Sequence, residues 1–217
     1  MLQDWNFWLS LSTWIVALVA LFISIYQMGL SNKQSLFEKR LKCYNIVSGI
    51  LRLCEENQRM INEKRADDPW LALDLEMTFL TNNTFLEELA DAYHNPLQQP
   101  YHKTFLKKRE ELECIGEEVS LIFSGKTGIT FRDFILAFDL VLQRAYQYVI
   151  VLDKMEKHNE ENPSSIEEKQ RIFPEQENRE YLQQAFKELQ ANYEIIIKGQ
   201  YIRKLQRQLR LTGKIIK

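Results

Sequence analysis

Three short stretches carry residue types from which reaction chemistry is built, and each is incomplete. Gly125-Lys126-Thr127 resembles the close of a phosphate-binding loop, where a lysine and a hydroxyl meet phosphate and its metal. Such a loop also needs an earlier glycine, and a strand leading into it. Ser120 stands in the glycine's place and the residues before it have helical spacing. Asp91 and His94, preceded by Glu87 and Glu88, share a helix face, so a carboxylate and an imidazole could meet one metal. A di-iron bundle site requires two Glu-x-x-His segments and two further Glu, and the chain offers a single Asp91-x-x-His94. His102 and His158 have no neighbours in sequence that suggest a triad. Asn82-Asn83-Thr84 matches a glycosylation acceptor, on a side of the membrane expected to be cytoplasmic. The expectation is a chain without catalytic activity, metal or cofactor.

Charge offers a better lead. Lys198, Arg203, Lys204, Arg207, Arg210, Lys214 and Lys217 follow the last acid, Glu194. With those seven cations removed, a chain of net charge −2 becomes −9 over residues 1–197. Ile195, Ile202, Leu205, Leu209 and Ile216 are interleaved at helical spacing, which predicts a basic amphipathic helix over residues 175–217. Near an anionic leaflet each such cation is worth up to ~1 kcal/mol within a screening length of ~8 Å. The competing reading is a solvated face on a bundle helix, whose cations suit a helix C-terminus and offset the acidic remainder. Nucleic acid ranks last, because Tyr201 is the lone aromatic in the run and no nucleic-acid-binding motif accompanies it.

A lipid partner is expected because of the other end of the chain. From Trp5 to Asn32 there is no charged side chain, and residues 5–28 are mostly apolar. As a helix those residues span ~36 Å, against a hydrocarbon core of ~30 Å. A cleaved signal peptide fits poorly: Met1-Leu2-Gln3-Asp4 holds no Lys or Arg, the run is too long, and no A-x-A-like site follows. Lys33, Lys39, Arg40 and Lys42 lie just after the span and only Asp4 and the amine before it, which predicts the N-terminus outside and residues 33–217 in the cytoplasm. Trp5, Trp8 and Trp14 near one end and Tyr26 near the other suit the headgroup level. Ser10, Thr13, Ala17, Ala20 and Ser24 form a small-residue stripe through which two spans could pack, so a homo-oligomer is an expected partner state.

The remaining residues suffice for one domain. Few Gly and Pro, with many Glu, Leu, Lys and Gln, predict an all-α fold: a transmembrane helix (residues 1–32), a cytoplasmic helical bundle (33–158), a mobile linker with one weak turn (159–174) and the basic helix (175–217). Ser35-Leu-Phe-Glu38, Thr84-Phe-Leu-Glu87, Thr130-Phe-Arg-Asp133 and Ser165-Ile-Glu-Glu168 each place a hydroxyl and an acid as a capping box does, predicting four helix starts. Further helices are expected over 70–80, 85–93 and 101–123. The apolar stripe that begins at Phe37 is out of register with the small-residue stripe, which predicts a bend at 29–32. The helix over 131–157 carries the main apolar face. Asp139 and Arg144, at ~2.5 to 3.5 kcal/mol per charge at a bilayer centre, make it a core helix rather than a second span. Cys43, Cys54 and Cys114 have neither disulfide nor zinc spacing and are expected to be reduced and buried.

Leu36-Phe37-Glu38-Lys39-Arg40-Leu41-Lys42-Cys43-Tyr44, a few residues after the span, resembles the LF[ED]KRL-x-x-Y opening of uncharacterised bacterial single-span membrane proteins, with Cys43 where Val or Ile is expected. The resemblance implies a bacterial inner-membrane protein with a cytosolic helical domain, and no activity. Together these features predict an anchor, scaffold or sensor of a protein partner. The alternative is a membrane-active effector, for example in phage defence, triggered through its cytosolic part.

Overall fold

A computed structural model describes the backbone of residues 2–57 and 83–209, and their side chains except those of residues 2–7, 9 and 10. Every regular element among the described residues is a helix, as expected: α1 (Leu2–Glu56), α2 (Glu88–His94), α3 (Tyr101–Ile122), α4 (Lys126–Glu161), α5 (Ile166–Ile172), α6 (Glu175–Lys198) and α7 (Tyr201–Leu209). The helix expected over 70–80 and the turn after it lie outside the described residues.

Apolar residues at helical spacing make α4 the spine of the molecule. Phe131, Phe134, Ile135, Phe138, Val141, Leu142, Ala145 and Tyr148 are buried along it, each large side chain contributing about 1.5–3 kcal/mol by leaving water. α3 and α6 pack on α4, both antiparallel to it. On the α3 side Phe105 stacks on Tyr146 with ring centroids 3.9 Å apart, and Arg109 meets Asp139 nearer the start of α4. On the α6 side the Tyr148 hydroxyl donates to Glu175 at 2.7 Å and the Arg144 guanidinium lies over the Tyr181 ring. The second half of α1 closes this core with Cys43, Val47, Ile50, Leu51, Leu53 and Cys54, all buried. Arg40 reaches the end of α3 at Ile122, so α1 and α3 share one end of the packed helices.

Helix starts depart from the capping-box reading in three of four places. Only Ser165 caps as expected: its hydroxyl accepts from the Glu168 N–H, and the Glu168 carboxylate accepts from the Ser165 N–H. Ser35 lies inside α1. Thr130 lies inside α4 and turns its hydroxyl back to the Lys126 carbonyl at 2.8 Å. Thr84 lies in a turn before α2, where Asn83 accepts from the Phe85 N–H at 2.9 Å, and α2 starts only at Glu88, with Glu87 as its N-cap and no side-chain cap. A Ser or Thr with an acid three residues on starts a helix only where the preceding backbone leaves helical geometry. Neither Gly nor Pro enforces that at 35, whereas Gly125, at φ 66°, starts α4 five residues before Thr130.

Gly128 sets how closely α4 follows α3. A Cβ at this position would fall 2.4 Å from the Phe123 carbonyl oxygen and 3.0 Å from those of Ser120 and Val119.

Two further expectations change. The helix is not broken at 29–32, where α1 runs through without interruption. One Gly costs a helix only ~1 kcal/mol, and a segment that is apolar on all sides has no preferred face that must align with the stripe beyond it. The long basic helix is divided instead: α6 ends at Lys198, Gln200 takes a left-handed conformation (φ 53°), and α7 begins at Tyr201. The segment expected as a linker is shorter, with α4 continuing to Glu161 and α5 filling 166–172.

Candidate functional site

Two surfaces answer to the expected chemistry, the apolar half of α1 and the basic C-terminal region. Between Leu11 and Leu30 every large apolar side chain of α1 is exposed, Phe22 to 70%, and none of the other described helices covers it. This part of α1 is long and apolar enough to cross a membrane. α4 passes the same test of length and composition, but over half of its apolar window is buried inside the packed helices. Thr13, Ala17, Ala20 and Ser24 are exposed with the rest, and the Ser24 hydroxyl donates to the Ala20 carbonyl at 2.9 Å, satisfying itself within the helix. The side chain of Ser10 lies outside the described residues.

Beyond the apolar half, the four cations read as a flank divide by role. Lys33, Lys39 and Lys42 are exposed. Arg40 turns inward, donating from Nε to the Ile122 carbonyl at 2.9 Å and from Nη1 to the Gln208 carbonyl at 3.0 Å. The first of these closes α3, where unsatisfied C=O groups and the negative end of the helix dipole favour a cation, and the second lies in α7. Arg40 therefore ties α3 and α7 to α1, a role that spacing in the sequence could not reveal because its partners lie 82 and 168 residues away.

The basic region has two faces. Leu205 is buried, and Tyr201, Ile202 and Leu209 pack half-buried on the same core. Gln208 brackets Ser124, its Oε1 accepting from the Ser124 N–H at 2.8 Å and its Nε2 donating to the Ser124 carbonyl, while Gln206 donates to the Tyr44 hydroxyl. α7 is thus docked as part of the core, and Arg203, Lys204 and Arg207 form its exposed side. The Lys204 ammonium also lies 4.2 Å from the Tyr201 ring centroid. Lys198, on α6, pairs with Glu194 at 2.6 Å. Arg210, Lys214 and Lys217 lie outside the described residues, so the seven cations do not form one continuous helical face among those that are described.

No protein-family model matches this chain, and no curated protein or solved structure does either. Its chemistry therefore has to be read from its own residues. Among the described residues no group of three His, Cys, Asp or Glu could hold a metal ion. Asp91 and His94 are both exposed at the end of α2. The lysine of Gly125-Lys126-Thr127 projects from the first turn of α4, directly after a helix. Cys43 and Cys54 are buried, but Cys114 is exposed, against expectation, because it falls on the outer face of α3. Burial, reinforced by Glu118, pushes the Cys43 thiol up to about 12, and burial raises that of Cys54 as well. Neither is a ready nucleophile.

Sequence reasoning missed the Arg109–Asp139 pair. Arg109 donates from Nε to Oδ1 at 3.0 Å and from Nη2 to Oδ2 at 2.6 Å, and the Asp139 side chain keeps only 5% of its exposure. Glu113 also approaches Arg109, at 3.3 Å. The pair lines an open groove of about 520 Å³ with Gln143, Glu188 and Asn192. Both charges are engaged with each other, which makes this a tie between α3 and α4 rather than an unfilled ligand site.

Proposed function

We propose that the chain is a single-span membrane protein, with its N-terminus outside and a helical bundle in the cytoplasm, that works by binding a protein partner without catalysing a reaction. The observation that carries this reading is α1 itself: one unbroken helix whose first half is apolar and uncovered and whose second half is a wall of the bundle core. An exposed apolar surface of that extent suits a lipid environment far better than water. The Lys-rich flank supports the orientation, and the resemblance around Leu36–Tyr44 supports a bacterial inner membrane. A reporter fused after Lys217 is expected to be active as a cytoplasmic fusion and silent as one that needs the periplasm, with the protein resisting alkaline extraction from membranes. Periplasmic activity, or release by alkali, would refute the placement.

The continuous helix also favours the second reading, a membrane-active effector. One unbroken helix joins the bundle to the span, so a rotation of the first is coupled to the second. If spans associate through Thr13, Ala17, Ala20 and Ser24, replacing Ala17 and Ala20 by Leu will hold the backbones apart and lower self-association of the full chain in a membrane two-hybrid assay. Equal signals would rule out the stripe as the contact.

A further inference from the structure

The end of the molecule where α1 leaves the packed helices carries a surface that the core does not use. α3 ends there, α4 begins, and α7 runs toward the same end, since Gln206 meets Tyr44 and Gln208 meets Arg40. Leu121, in the last turn of α3, is 84% exposed, the highest value among the exposed large hydrophobics, and Ile129 in the first turn of α4 is 49% exposed. Lys39, Lys126 and Arg207 are exposed at this end, and Glu117 and Glu118 sit about a turn further back on α3. Removing such leucine and isoleucine surface from water is favourable in proportion to the apolar area covered, so their exposure invites an occupant.

The geometry points to the anionic leaflet of the membrane that α1 crosses as that occupant: Leu121 and Ile129, framed by Lys39, Lys126 and Arg207, form a lipid-facing end of the bundle. This rests on the membrane placement of α1 proposed above. Lys33 marks the first charge after the uncharged stretch, and Arg40 lies seven residues on, or ~10 Å along the helix. An arginine side chain on a helix leans toward the N-terminus, which brings the end of α3 closer still. The surface therefore lies within about one screening length of the headgroups, where apolar side chains beside cations gain from both contact and charge.

The test uses the full chain in nanodiscs of phosphatidylcholine alone or mixed with phosphatidylglycerol. With Cys114→Ser as background, a fluorophore at Leu121→Cys is compared with one at Ile166→Cys, on α5 beyond the far end of α4. In the anionic discs an aqueous quencher is expected to reach position 121 several-fold more slowly than position 166. The difference should shrink in neutral discs, in high salt, and when Lys39, Lys126 and Arg207 are all changed to Glu. Equal quenching at the two positions would overturn the proposal while leaving α1 in the membrane. Shielding indifferent to lipid charge, salt and the three substitutions would overturn it too, and shielding that grows with the number of chains per disc would assign the surface to a second copy. Failure of the chain to enter discs would instead remove the membrane placement, and this inference with it.

Discussion

Asp139→Ala is expected to cost roughly 3 kcal/mol, the low end of the range for a broken buried ion pair, because Arg109 keeps Glu113 as a second partner. For a domain of this size that lowers Tm by roughly 6–12 °C, read from helix melting of the full chain in detergent. The cause is the cation left behind, not the lost attraction. Burial pushes the Asp139 carboxyl above the usual carboxylate range even against the pull of Arg109. A raised folded-state value means that the folded chain holds this proton to a higher pH than the unfolded chain does. Its contribution to stability is therefore complete below the ordinary carboxylate pKa of ~3.9 and declines as pH rises through the folded value. Ionised Asp139 is thus a net burden that Arg109 offsets only in part. The double variant Arg109→Met with Asp139→Leu should in consequence melt close to wild type, since replacing both charges by apolar groups is often neutral or better. A double variant that falls as far as the single one would show that packing, not charge, sets the effect.

Gly128→Ala sets two effects of opposite sign against each other. Helix propensity favours Ala over Gly by about 1 kcal/mol. Against that, the new methyl would lie 2.4 Å from the Phe123 carbonyl oxygen and 3.0 Å from two more carbonyls in the last turn of α3. Those neighbours are backbone atoms at a helix end held by Arg40 and Gln208, so they cannot swing aside as a side-chain tip would. Overpacking of this kind costs about 1–3 kcal/mol and sometimes more, and here it should exceed the propensity gain, for a net loss of about 2 kcal/mol. Gly29→Ala is the control. A Cβ there meets nothing within 4 Å, so the same substitution should be neutral or slightly stabilising. Denaturant midpoints that fall for both variants, or for neither, would contradict the account.

The α3–α4 contact at Gly128 illustrates where reading from sequence stops. The chain turns at 123–125, and Lys126, Thr127 and Gly128 already belong to α4. What the glycine at 128 is for depends on the distance between two helices that meet only after the chain reverses. Arg40 is a similar case: in sequence it belongs with Lys33, Lys39 and Lys42, and in the fold it leaves them to bind carbonyls of α3 and α7. The C-terminal region follows the same rule. Of its stripe, Ile202, Leu205 and Leu209 pack on the core while Ile195 is exposed and Ile216 lies outside the described residues, and the break at Gly199 and Gln200 and the docking of α7 beside Tyr44 and Ser124 depend on partners far away in the chain.

Composition and periodicity by themselves determined the helical class, the uncharged apolar stretch before Lys33, the central standing of α4 and the Ser165 cap, because each rests on interactions within a few residues. The tertiary structure decided that α1 is not broken at 29–32, that the basic helix is two helices, that Asp139 is held by Arg109, and that Leu121 and Ile129 stand exposed beside the exit of α1. These outcomes depend on which surfaces remain for each residue after the others have packed. That competition is settled among all the helices at once and leaves no local signal in the chain.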